Sequence, residues 1–187
     1  MYIIPPIIGD DFKPINLPLK PYVAISCRDR AVHRKLISEF YLKFPQLRWI
    51  TFRDMVQMSY DEFSSNLKEC MVSVWVDDES TFGTFPLESM KSNVPVIGKV
   101  PNLPAEWMTE ENGIWITDKT LFADVIADFI QNWLEDNIKP EMYEEMKKTS
   151  DKYSNKQEFE SSVTTLFSKF LSNRADSFEE QIIKTEE

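Results

Sequence analysis

The chain has 187 residues, 42% of them hydrophobic, which suffices for one domain with its own buried core and a helical appendage, without covalent staples. A net charge of -10 and a pI near 4.7 exclude a general affinity for nucleic acid or for anionic membrane, so any anion site has to be local. Two cysteines, Cys27 and Cys70, each lie at an end of an apolar run and read as buried thiols in a reducing setting, not as a disulfide or a metal pair.

Met1–Ile8 lacks a basic leader and is broken by Pro5 and Pro6, which argues against a signal peptide, and no apolar stretch is long enough to span a membrane. Residues 1–20 read as a proline-rich linker. Tyr22–Cys27 predicts a first strand, and Val32, Leu36, Phe40 and Phe44 recur at helical spacing over Asp29–Phe44 until Pro45 stops the helix. Arg48–Phe52 predicts a second strand. Ser59 and Glu62 form a capping-box pattern that opens a helix carrying Phe63 and Leu67.

Val72–Val76 predicts the third strand, Thr84 onward a helix, Val94–Ile97 the fourth strand and Gly113–Ile116 a fifth. Asp118 is the expected N-cap of a helix with Leu121, Val125, Ile126, Phe129, Ile130 and Trp133 on the face toward the sheet. A helix follows around Pro140–Lys148, and Ser154–Gln157 caps a last one striped by Val163, Leu166, Phe167, Phe170 and Leu171. Residues 173–187 read as a polar, acidic tail with a frayed end. Strands alternating with helices predict an α/β class: a Rossmann-like, doubly wound parallel sheet of about five or six strands over residues 21–172, with extra C-terminal helices.

The chemistry concentrates in Ser80–Met90. A glycine-containing turn followed by Pro86 in a first helical turn leaves backbone N–H groups pointing one way, with the positive end of the helix dipole behind them. Glu88 sits about one turn further in, where a carboxylate can accept hydrogen bonds from two neighbouring hydroxyls. An anion site beside a diol site suggests a nucleotide. A second cluster, Cys27–Lys35, is basic and follows the first strand, which places it on the same sheet edge as the turn. There Arg28 reads as an anion ligand, whereas Lys35 reads as part of a solvated face paired with its neighbours. His33, the only histidine, reads as exposed, and Asp77-Asp78-Glu79 as a solvated turn, with a divalent-metal site as the alternative. The tryptophans Trp75, Trp107, Trp115 and Trp133 read as core.

Ser80–Gly98, with Pro101–Trp107 and Glu111–Ile116, resembles the C-terminal, nucleotide-sugar-binding domain of GT-B glycosyltransferases, most like the retaining family 4 group. That family shows an acid, Gly-Phe-Gly, Pro, a second acid, a short helix, Pro-Val-Ile, Leu-Pro-Glu and Asn-Gly in this order. Ile3–Pro14 resembles the segment by which such chains leave their N-terminal domain, and Tyr153-Ser154 with the last helix resembles their C-terminal element. The resemblance implies that Glu88 binds the donor ribose. It further implies that Phe82, Gly83 and Thr84, with Thr81 beside them, contact sugar and diphosphate, and that Arg28 contacts the diphosphate, with Arg34 near the position of its lysine partner. The family's first acid falls on Ser80, with Glu79 one residue early. Three readings of that departure stand: Glu79 serves from a shifted loop, the sugar is held differently, or donor-sugar chemistry has been lost.

The resemblance therefore implies the donor half of a GT-B, hexosyltransferase-type enzyme, inactive alone, whose acceptor would be held by an N-terminal domain outside this chain. It implies a nucleoside diphosphate sugar as substrate, no metal and no other cofactor, no nucleic acid partner, no transmembrane segment, and a cytoplasmic location with peripheral membrane contact through the missing half as an option. A non-catalytic Rossmann-like interaction module is the competing expectation, and a metal-dependent transferase using Asp77 and Asp78 a third.

Overall fold

The computed structural model describes residues 6–15, 20–77 and 82–183, with side chains described as far as residue 171. Five strands form one parallel sheet: β1 (Lys20–Ser26), β2 (Thr51–Asp54), β3 (Cys70–Trp75), β4 (Val96–Lys99) and β5 (Ile114–Ile116), in the order β2-β1-β3-β4-β5. Among the described residues six α-helices accompany the sheet: α1 (Arg30–Lys43), α2 (Tyr60–Lys68), α3 (Thr84–Lys91), α4 (Phe122–Leu134), α5 (Pro140–Lys152) and α6 (Lys156–Ile183).

The order reverses between β1 and β3, so right-handed crossovers send α1 and α2 to opposite faces. On one face α1 and α4 pack Leu36, Phe40, Phe122, Ile126 and Ile130 over Val23, Ile25, Val72 and Val74. On the other face α2, α3 and α5, with the N-terminal segment around Ile8 and Phe12, cover Ala24, Trp75 and Val96. Central β3 is buried at every position, which explains its near-continuous apolar run. At Gly98 of β4 a Cβ would come within 2.5 Å of the Trp115 ring, so only glycine admits the indoles of Trp75 and Trp115 on this face.

Several boundaries follow from local chemistry. The Ser59–Glu62 capping box forms as expected, Ser59 N donating to Glu62 Oε2 at 3.1 Å and Glu62 N to Ser59 Oγ at 3.3 Å. Asp118 does cap the start of its helix through Thr120 N at 2.9 Å, over a 3-10 turn that leads into α4. The second strand begins later than Arg48: Pro45–Leu47 forms a 3-10 turn, Arg48 keeps helical dihedrals and Ile50 N donates back to Leu47 O, so extended pairing opens only at Thr51. Helix α6 continues through Ile183, into the segment read as a polar tail, its backbone bonds satisfied within the helix.

Candidate functional site

In a doubly wound sheet the ligand crevice opens outside the carboxyl ends of the strands where their order reverses, here between β1 and β3. The second residue beyond each of these strands meets the other across the crevice. Arg28 Nε lies 3.1 Å from Asp77 Oδ2, with the arginine side chain 73% exposed and the aspartate 10%. Asp77 is thus no part of a solvated turn: it is a shielded carboxylate that holds the guanidinium by one edge and leaves the other N–H donors for a ligand.

Of the rest of the basic cluster, Lys35 follows the sequence expectation, a solvated side chain paired with its neighbour on α1, whereas Arg30 and His33 do not. Asp29 caps α1, its Oδ1 accepting from Ala31 N at 2.8 Å and Val32 N at 3.2 Å, so a protein carboxylate occupies the place an anion would take at that helix end. Arg30 pairs with Asp54 and Lys35 with Glu39, while Arg34 is exposed on α1 without a partner among the described residues. His33 is half-buried, not exposed, and its Nε2 is enclosed with no hydrogen-bond partner. Burial pushes the Cys27 thiol up, and Asp29, Asp77 and Lys119 all lie close enough to act on it. Lys119, which sequence reasoning passed over, therefore adds a cation to the same edge. It becomes visible only when the turn before α4 folds back beside β1.

The α3 end is the open one. Gly83 is its N-cap with φ 71°, a left-handed conformation in which a Cβ would sit 2.9 Å from the Trp75 ring. Among the described residues no side chain caps this helix and its first turn holds no acid, so there the N–H groups of Thr84 and Phe85 precede Pro86 without a competing carboxylate. The turn is clamped from outside: Trp107 Nε1 donates to Phe82 O at 3.0 Å, and the Phe82 ring meets Trp107 and Tyr153 edge-on. Glu79, Ser80 and Thr81 lie outside the described residues, as does Asp78.

Glu88 is half-buried on α3, and its carboxylate makes no hydrogen bond or ion pair with a described residue. Loss of water raises its pKa to about 7. Tyr60, whose ring packs edge-on against Phe12, lies near enough for the Glu88 charge to raise its phenol. A shielded carboxylate with open acceptor positions is costly unless a donor arrives, and a pair of vicinal hydroxyls supplies two.

The remaining motif residues are structural. Asn112 is buried and its Nδ2 donates to Trp107 O at 2.6 Å and to Thr149 Oγ1 at 3.0 Å, fixing the loop that carries Trp107. Tyr153 donates to Glu106 at 2.8 Å beside a cavity of about 530 Å³ lined by Phe82, Glu106, Asn155 and Phe159. As expected, Trp75 and Trp107 are buried, Trp115 and Trp133 pack on the core, and both cysteines are buried. Among the described residues no group of three or more His, Cys, Asp or Glu is assembled for a metal, and no helix is long and apolar enough to cross a membrane.

No family profile and no curated protein matches the sequence. Solved structures do. The C-terminal domain of a group 1 glycosyl transferase family protein, LpcC, from Francisella tularensis superposes with a TM-score of 0.58 at 16% identity, covering 80% of this chain and 100% of that domain. Sucrose-phosphate synthase from Thermosynechococcus elongatus gives a TM-score of 0.62 at 16% identity over 91% of this chain and 52% of its own. The pneumococcal O-GlcNAc transferase GtfA, solved with UDP and GlcNAc, gives 0.57 at 14% identity over 87% of this chain and 38% of its own. The fold is that of the C-terminal domain of GT-B glycosyltransferases, and the chain spans only 38% and 52% of the two longer neighbours.

Proposed function

We propose that this chain is the donor-binding half of a GT-B sugar transferase of the hexosyltransferase kind, holding a nucleoside diphosphate sugar at the β1/β3 crevice. The observation that carries the reading is Glu88, a shielded carboxylate with no partner among the described residues, one turn inside a helix whose N-terminus none of those residues caps. In this reading Glu88 accepts the ribose hydroxyls. Phe82, Gly83 and Thr84 offer backbone to the diphosphate, and Arg28 supplies the positive charge, Asp77 fixing its orientation. These groups would stabilise the charge that grows on the departing diphosphate, with no metal required. Arg34, Glu79, Ser80 and Thr81 complete the proposed donor contacts, and the departure at Ser80 leaves the donor sugar to be identified.

The acceptor would lie on a separate N-terminal domain, in keeping with the 38% and 52% coverage of the longer neighbours. The exposed Phe167 and Leu171 on α6 offer that domain an apolar surface. We place the assembled enzyme in the cytoplasm, any membrane contact being made by the missing half. A second reading, a non-catalytic interaction module, is favoured by one pair of observations: Asp77 already engages Arg28, and Asp29 already fills the α1 terminus.

Isothermal titration with UDP, GDP and ADP separates the two, UDP being tested first because the GtfA structure holds it. Under the donor reading one of them binds and Glu88→Ala costs about 1–3 kcal/mol of affinity, the loss of charge-assisted hydrogen bonds. Absence of binding by all three at about 1 mM refutes the donor reading and leaves the interaction module.

A further inference from the structure

We propose that the open groove along the free edge of β5 docks a lysine- or arginine-rich amphipathic helix of a partner protein. The groove shares no residue with the β1/β3 crevice and does not depend on the donor reading. It measures about 1020 Å³ and lies between β5, the second half of α4 and the start of α5. Its floor is apolar, made by Ile114, Val125, Phe129, Ile138 and Met142, all continuous with the two cores. Its rim is acidic: Glu110, Glu111, Asp128 and Glu141 line it, against the single cation Lys139.

Elsewhere on α4 and α5 three carboxylates are engaged within the chain. Asp124 pairs with Lys43, Glu145 with Lys148 and Asp151 with Lys91. The four rim carboxylates have no ion pair or hydrogen bond to a described residue. An apolar floor bordered by unpaired charge of one sign complements a helix with apolar residues at i, i+4 and i+7 and cations on both flanks. A strand partner is disfavoured because β5 is only 3 residues long and offers almost no ladder. A second copy of this chain, itself at net charge -10, would bring like charge to the rim.

The test is fluorescence anisotropy of the full chain with a labelled synthetic helix of roughly 18 residues, leucine on one stripe and lysine elsewhere. Two further peptides serve as controls, one with the leucines replaced by asparagine at equal charge, one with the lysines replaced by glutamate. Saturable binding of the leucine-lysine peptide alone is expected. The Glu111→Lys/Asp128→Lys variant should lose at least about tenfold in affinity, while Asp10→Lys/Glu144→Lys, which changes net charge equally on exposed positions elsewhere, should stay within about twofold. Three results would each overturn the proposal: no saturable binding by about 1 mM, equal binding of the asparagine control, or equal losses in the two variants. Thermal unfolding of both variants checks that each remains folded.

Discussion

Glu88→Gln separates the electrostatics of the proposed ribose acid from its shape. The folded chain raises the Glu88 pKa to about 7 from 4.5 because burial on α3 holds it away from water. Below pH 4.5 the carboxyl is neutral in both folded and unfolded chains and costs nothing. Between 4.5 and 7 the unfolded chain releases the proton that the folded chain keeps, so stability falls as pH rises, and above 7 the loss is complete. At about 1.4 kcal/mol per pH unit the loss amounts to at most about 3 kcal/mol.

Glutamine keeps the shape and carries no charge, so the mutant is spared this loss. Urea denaturation of both proteins from pH 4.5 to 8.5 should give curves that diverge in favour of the mutant by up to about 3 kcal/mol. Taking the difference cancels the other titrations common to both. Nucleotide binding should run the opposite way: hydroxyl donors favour the ionised form, so wild-type affinity for UDP should rise with pH through about 7, and the mutant's should stay flat and weaker. Parallel stability curves for the two proteins would refute the assignment of Glu88 as a desolvated, unpartnered acid.

Three further outcomes are expected. Gly83→Ala forces a Cβ into a φ of 71° and to 2.9 Å from Trp75, so it should lower stability by about 1–3 kcal/mol in chemical denaturation and weaken UDP binding with it. Arg28→Ala should cost about 1.5–3 kcal/mol of UDP affinity, whereas Asp77→Asn, which removes a carboxylate from beside the diphosphate, should tighten UDP binding in low salt and lose that gain in high salt; calorimetry at two ionic strengths reads both. Cys27 and Cys70 are buried, and desolvation pushes the Cys70 thiol up to about 12, so neither should react with a thiol reagent at pH 8 until the chain is unfolded by urea; mass spectrometry of alkylated native protein checks this.

The sequence carried the elements whose cause is local. Periodicity marked β3 and α4, the Ser59–Glu62 box marked the start of α2, and Gly83 with Pro86 marked the opening of α3 with Glu88 one turn beyond. Each of these depends on neighbours within a turn or two of the chain. The later start of β2 was hidden because Trp49 and Ile50 look like strand residues, whereas the 3-10 turn after Pro45 spends them on a corner. The length of α6 was hidden because the acidic, polar composition after Asn173 reads as a tail, whereas helix continuation needs only backbone bonds.

What the sequence determined by itself was a doubly wound sheet with Gly83 opening a helix and Glu88 one turn inside it, because spacing, caps and turn residues act over a few positions. The tertiary structure decided the charge state of that site. Arg28 and Asp77 are separated along the chain by α1, β2, α2 and β3 and meet only because β1 and β3 are neighbours at the reversal of strand order. Likewise the shift in Glu88 arises from the elements that close around α3 and take water from the carboxyl. Composition lists which charges a chain has; packing sets which of them face each other and how much solvent remains between them.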